Sequence, residues 1–475
     1  MSEHKRFDYA SLEQVTSAAA ALGLDLPASA DVGILGRPFC LGIHELPNRL
    51  CAQPMEGCDS TPDGGPSDLT YRKYERFAAG GCGLIWLEAV AVTPEGRANP
   101  RQLWLHEGNV AAFAELVRRI RQAAPTGMRP VVILQLTHSG RYAKPEGKPA
   151  PLIAHRSLPL DGAMNLPPDH PLVSDSYLDD LQDRYVATAL LAKQAGFDGV
   201  DVKACHRYLI SELLASHTRA GSRYGGDFVG RTRMLRQIVA AVRCAVGQEM
   251  EVTTRMNVYD GLPYPWGWGV KNGNGCLRPT AAPGKVKGCN GGPPYDPANP
   301  EANATPDMAE PIRLVGELIE SGLTGLSVTM GNPRWRPHMN RPSDRNVVGG
   351  PSFPEHPLEG VARMMHLTRQ LQQAHPRLVV VGAGYSWLRQ FFPNVAAAAV
   401  AKGWVSVVGL GRGALAYPDY ARELLATGKL TPEKLCVACS ACSQIMRDGG
   451  RSGCVVRDSA IYGPIYAAGR KAAGH

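Results

Sequence analysis

The chain has 475 residues, 51 Lys and Arg against 43 Asp and Glu, a net charge of +8 and 12 cysteines. So few thiols in so long a chain exclude a small disulfide-stapled scaffold. The positive charge is spread without a basic run, which suits anionic small molecules better than nucleic acid.

Glu3, Asp8 and Glu13 stand where a signal peptide would be basic and then apolar. No stretch approaches the roughly eighteen apolar residues of a membrane span. A cytoplasmic protein is expected. Past an N-terminal extension (1–36), eight β-branched or apolar runs follow in order. They are NRLCAQPM (48–55), GLIWLEAVAV (83–92), PVVILQL (130–136), FDGVDVK (197–203), MEVTTRMN (250–257), TGLSVTM (324–330), LVVVGAG (378–384) and WVSVVGLGRG (404–413). Helical-period stretches such as NVAAFAELVRRIRQAA and MAEPIRLVGELIESG lie between them. The alternation predicts a parallel α/β fold, and eight strands predict a TIM (β/α)8 barrel over 37–430. An open doubly wound sheet is the competing arrangement.

Two stretches break the rhythm. Residues 262–307, crowded with Gly, Pro and Asn, follow the fifth strand and predict a functional lid or a disordered insert on the active face. Tyr264, Trp266 and Trp268 would either cover a flat apolar substrate or pack the loop down. The second departure is the tail, 431–475.

In a barrel, chemistry belongs at the C-terminal strand ends. Strands seven and eight end in glycines, where Gly382, Gly384, Gly409 and Gly411 admit a phosphate to the backbone and Arg412 can pair with it. A dinucleotide fingerprint fails at the third glycine, where Trp387 stands. Past strand four, Lys203, His206 and Tyr208 fall at i, i+3 and i+5. Lys and His can hold a carbonyl oxygen, and a tyrosine stays protonated at neutral pH and can act as an acid. Each residue also has an ordinary packing explanation, and His338 after strand six is a further lone histidine.

The tail carries CVACSACSQIMRDGGRSGC, with Cys436, Cys439, Cys442 and Cys454 in C-x2-C-x2-C-x11-C spacing. Four such thiolates can hold a [4Fe–4S] cluster or a structural zinc ion.

QPMEG (53–57), GLIWLEAVAVTPEGR (83–97), QLTHSGR (135–141), the Lys203–Tyr208 region followed by YGG and Arg231, and GLGRG together resemble the old yellow enzyme family. The cysteine tail resembles that of its iron–sulfur branch, which includes 2,4-dienoyl-CoA reductase, trimethylamine dehydrogenase and bile-acid enoate reductases. The resemblance implies a TIM barrel with FMN at its mouth. Pro54 and Met55 would lie against the flavin, Ala89 near its edge and Gln135 on its pyrimidine side. Arg255 would stabilise the anionic reduced ring, and Gly384, Gly411 and Arg412 would clamp the phosphate. His206 and Tyr208 would be oxyanion donor and proton donor. Lys203 departs from the family's usual histidine. Cys436, Cys439, Cys442 and Cys454 would bind the cluster, with a middle gap one residue shorter than the branch usually has.

The resemblance implies an ene reductase acting on an enone, enoate or enoyl-CoA. The alternative is an amine or alcohol dehydrogenase of the trimethylamine dehydrogenase type, which an acidic partner for a substrate cation would favour. Larger branch members carry a second half for FAD or ADP and NAD(P)H, and no later Gly-rich βαβ unit follows here. Electrons are therefore expected from NAD(P)H docking over the FMN, or through the cluster from a separate protein. A homo-oligomer is compatible with this reading.

Overall fold

The computed structural model describes residues 6–271, 304–350 and 352–474, with the backbone alone of 277–279 and 286–288. Eight parallel strands close a barrel in chain order: Leu50–Ala52, Leu84–Ala91, Val131–Thr137, Gly199–Val202, Glu251–Asn257, Gly325–Thr329, Val379–Gly382 and Val407–Leu410. Each pairs with its successor, and the eighth returns to the first through Val408–Leu50, Gly409–Cys51 and Leu410–Ala52. The TIM barrel is as predicted, and the open sheet is excluded.

Every residue of these eight strands is buried. They face the barrel interior on one side and helices on the other, which is why they read as unbroken Val, Ile and Leu runs. The first strand is shorter than its apolar run. Gln53 N–H still donates to Leu410 O at 2.9 Å, but Pro54 has no N–H to give and the ladder stops. Trp86, Ile133, Val381 and Val407 fill the lower interior with Leu41 and Leu46. Those two leucines come from a hairpin, Phe39–Leu41 with His44–Leu46, that plugs the N-terminal end.

Helices form where the period demands. In Val110–Ala123 the buried residues are Phe113, Leu116, Val117 and Ile120, one stripe facing the barrel. Each such side chain contributes about 1.5–3 kcal/mol on burial. Asp175–Gln194 begins where the Ser174 hydroxyl accepts from Tyr177 N–H at 3.1 Å, and Phe228–Val246 where Asp227 accepts from Gly230 N–H at 2.8 Å. The N-terminal extension joins the outer core, with Phe7 edge-on to Trp387 at 5.1 Å.

At the start of the insert, Trp268 packs in the core and donates from Nε1 to Asn257 O at 2.9 Å. Its role is packing. Trp266 is also buried, and Tyr264 sets its ring 4.8 Å from His217. Most of 272–303 lies outside the described residues. The tail docks on the mouth of the barrel: Ser452 N–H donates to Gly57 O at 2.6 Å. Asp458 pairs with Arg72 and Arg76 at 2.7 and 2.6 Å. Among the described residues no helix is long and apolar enough to cross a membrane.

Candidate active site

Strand four delivers its residues through an unusual turn. His206 and Arg207 both take left-handed backbone conformations, φ 64° and 59°, which cost free energy for residues with a Cβ. Arg207 is fully buried and anchors the turn, with Nη1 2.9 Å from Asp260 and Nη2 2.8 Å from His155. The turn brings Lys203 and Tyr208 together: the ammonium sits 3.9 Å from the centre of the phenol ring.

Both then meet a carboxylate that sequence reasoning missed. Glu56 Oε1 accepts from Lys203 Nζ at 3.1 Å and from the Tyr208 hydroxyl at 3.0 Å. Glu56 is the fourth residue of the QPMEG stretch, one step past Met55. Its burial alone would raise the carboxyl, but Lys203, Arg334 and the two hydrogen bonds hold it below its ordinary range. Burial first, and then the Glu56 charge, push the Tyr208 phenol well above its usual value. Tyr208 is a protonated acid at neutral pH.

His206 faces the strand-six side. Asn340 donates from Nδ2 to His206 Nε2 at 2.9 Å, which leaves the ring proton on Nδ1. Burial, then Arg255 and Lys203, push the imidazole well below its usual range. It is a neutral donor through Nδ1. His338 is buried and packs against Phe353, and no described bond joins it to Tyr208.

The residues expected around the flavin fall on neighbouring strands. Gln135 and Ala89 are paired across strands two and three, just past a register shift. Gln135 Nε2 donates to Asp201 Oδ2 at 2.5 Å, so its amide is fixed from below. Burial raises Asp201 to about 6. Arg255 reaches under the first strand end, donating to Pro54 O at 3.2 Å. It has no ion-pair partner among the described residues, and its buried Nε makes no hydrogen bond. A buried guanidinium without a counter-ion suits an anionic ring edge.

On the far side, Gly384 adopts φ 93°, where a side chain would strain the turn. A Cβ on Gly411 would stand 2.8 Å from Met55 Sδ, so glycine lets the eighth-strand loop lie against Met55. Arg412 is buried, held by Ser343 Oγ at 2.5 Å and Pro342 O at 2.6 Å, with no carboxylate partner among the described residues. The two unpaired arginines and the glycine loops fit a phosphorylated, anionic aromatic group such as FMN.

Beside this end lies the cysteine tail. Ala438 N–H donates to Cys436 Sγ at 3.4 Å, and Arg457 N–H to Cys454 Sγ at 3.3 Å. Ala438 and Ser440, at φ 51° and 62°, curl the backbone around the thiols. Burial, offset by the Arg412 charge and reinforced by Cys442 and Cys454, moves the Cys436 thiol up to about 11. The four thiols share one electrostatic neighbourhood. Among the described residues, however, no three His, Cys, Asp or Glu side chains converge closely enough to hold a metal ion.

A TIM barrel with its reactive groups at the ends of strands one, four and five is a common enzyme scaffold. Residues 35–264 match the family described as NADH:flavin oxidoreductase / NADH oxidase. The matched segment, a little under half of the chain, is similar to that family. NADPH dehydrogenase of Halalkalibacterium halodurans is 33% identical over 201 residues, 42% of this chain and 56% of that one. A metal reductase of Desulforamulus reducens is 30% identical over 233 residues, 49% of this chain and 34% of that one. The matches to the NADPH dehydrogenases thus span little more than half of those proteins.

Among solved structures, a 2-naphthoyl-CoA reductase complex superposes with a TM-score of 0.67 at 19% identity, covering 92% of this chain and 58% of that one. Morphinone reductase gives 0.56 at 23%, covering 86% and 92%. At such identities the likeness concerns the fold.

Proposed function

We propose that the protein is an FMN-dependent ene reductase acting on an alkene conjugated to a carbonyl or carboxyl group. The observation that carries this reading is the Lys203–Tyr208–Glu56 group at the strand-four end, next to the uncompensated Arg255. Pro54, Met55, Ala89, Gln135 and Arg255 would hold the ring of FMN, and Gly384, Gly411 and Arg412 its phosphate. When bound, FMN supplies the hydride for the β-carbon. Lys203 and the Nδ1–H of His206 hold the carbonyl oxygen and stabilise the negative charge that develops there. Tyr208 gives its proton to the α-carbon.

An amine dehydrogenase would use Glu56 to receive a substrate cation. Lys203 and Tyr208 already occupy that carboxylate, and Arg334 adds a second positive charge beside it, so a substrate ammonium would meet net repulsion. The relatives named NADPH dehydrogenase support NAD(P)H as an electron donor. The spacing of Cys436, Cys439, Cys442 and Cys454, with the two N–H···S bonds, supports a [4Fe–4S] cluster and a route from a separate electron-donor protein.

The protein should purify yellow and release FMN on denaturation. Prepared without oxygen, it should contain about four iron and four inorganic sulfide per chain, with visible absorption that bleaches on reduction. FAD, or no flavin after reconstitution, sinks the flavin reading. One zinc without sulfide sinks the cluster, because closed-shell zinc accepts no electron.

A further inference from the structure

Above Tyr208 the mouth has a wall that the proposed chemistry does not use. Ala98, Tyr142 and Tyr208 form a small buried apolar cluster against which Met164 packs. The Tyr142 and Tyr208 rings stand 6.3 Å apart at 50°. Asn332 Nδ2 donates to the Tyr142 hydroxyl at 2.6 Å, and Asn332 Oδ1 accepts from the backbone of Arg334 at 2.9 Å. These bonds fix the loop so that the Arg334 guanidinium lies over the Tyr142 ring, 4.6 Å from its centre. Arg334 is exposed, and Lys144, two residues past Tyr142, is half-buried.

We infer that Arg334 and Lys144 form a cationic rim that receives an anionic group, carboxylate or phosphate, of a substrate whose apolar body lies on Tyr142 and Met164. The inference rests on the ene-reductase reading and adds to it a substrate class. Neither cation has an ion-pair partner within 4.0 Å among the described residues. Burial opposes the Arg334 charge, while Tyr208, then Glu56 and Tyr142, hold its guanidinium above the ordinary value, and the Glu56 carboxylate also accepts from Lys203 and Tyr208. The Lys144 ammonium is lowered by burial and then by the Arg334 charge. A half-buried ammonium that feels a second cation is unfavourable until an anion completes the two. An apolar wall ending in two such cations fits an amphipathic acid rather than a neutral alkene.

The rim is tested by binding, so the result does not depend on turnover. Flavin-loaded protein is titrated calorimetrically with a saturated aryl ketone bearing a pendant carboxylate, and with its methyl ester. Lys144→Gln should weaken the acid about tenfold, about 1.4 kcal/mol, and the ester less than about twofold. Lys144→Arg should keep most of the acid's affinity. Raising salt from about 50 to about 500 mM should weaken the acid selectively, since screening acts on the charged ligand. A parallel pair, a saturated acyl-CoA and the same acyl group on N-acetylcysteamine, separates the sources. Selective loss for the CoA ester alone identifies the anion as phosphate. Equal affinities for charged and neutral members of both pairs, in wild type and Lys144→Gln, overturn the rim. If the rim discriminates while no enone is reduced, the rim stands and the ene-reductase reading falls.

Discussion

Tyr208→Phe is expected to slow reoxidation of the reduced enzyme by its alkene about 10²-fold or more, the scale of a lost general acid. Substrate affinity and the rate of flavin reduction should change little. The expectation follows from what surrounds the hydroxyl. Burial and the Glu56 charge hold the phenol well above its ordinary value, so it carries its proton across the neutral range. The same carboxylate makes a bare phenolate costly, because it would face a like charge at hydrogen-bond distance. Lys203, bonded to Glu56 and lying over the ring, offsets that cost. A lysine at position 203 therefore matches the presence of Glu56. Stopped-flow reoxidation under anaerobic conditions separates the two half-reactions. An unchanged rate in Tyr208→Phe would hand the proton to His206, His338 or water.

Much of the barrel was legible because its strands are buried on both faces. Runs such as PVVILQL have only one way to satisfy such burial in a parallel sheet, and eight runs close it. The strand-four triplet was legible too, since position past a strand end sets which side chains meet at the mouth. Glu56 was not. It lies beyond Pro54, where the period of two no longer governs direction, and its partners are 147 and 152 residues away. Arg334 and Asn340 were missed for the same reason: they come from the loop after strand six, and a lone sequence carries no signal of such a meeting. Arg207 is a case where local rules mislead. Nothing about an arginine announces a left-handed backbone, and only the distant Asp260 and His155 make that conformation tenable here. The cysteine spacing located the tail's thiols, but not that the tail would dock on the loop carrying Glu56.

That docking surface is held from inside by one buried cation, and its removal is the largest stability change expected. Lys73 sits between Asp59 at 3.2 Å and Glu88, which also contacts it directly. Glu88 in turn accepts from Gly57 N–H at 2.5 Å and from the Tyr74 hydroxyl at 3.1 Å. Gly57 follows Glu56 and receives the tail's Ser452, so one ion cluster supports both the active loop and the docked tail. Burial opposes the Lys73 charge, yet the two carboxylates hold its ammonium well above the ordinary value. Lys73→Met keeps much of the volume and leaves two buried carboxylates without a cation. Breaking a buried pair from one side costs about 3–5 kcal/mol, and the melting temperature should fall accordingly.

The pH dependence distinguishes this cause from simple misfit. Glu88 is already raised to about 7, by burial first and with Asp59 adding to it, while Lys73 pulls it down. Without Lys73 the folded-state Glu88 carboxyl rises further. A carboxyl raised in the folded state holds its proton where the unfolded chain has released it, so its contribution is lost as pH climbs through that window. The penalty of Lys73→Met should therefore be smaller near pH 5 and grow toward pH 8. Lys73→Met with Glu88→Gln should recover part of the loss at pH 8. A penalty equal at both pH values, and unrelieved by Glu88→Gln, would mean that Lys73 acts through packing rather than charge.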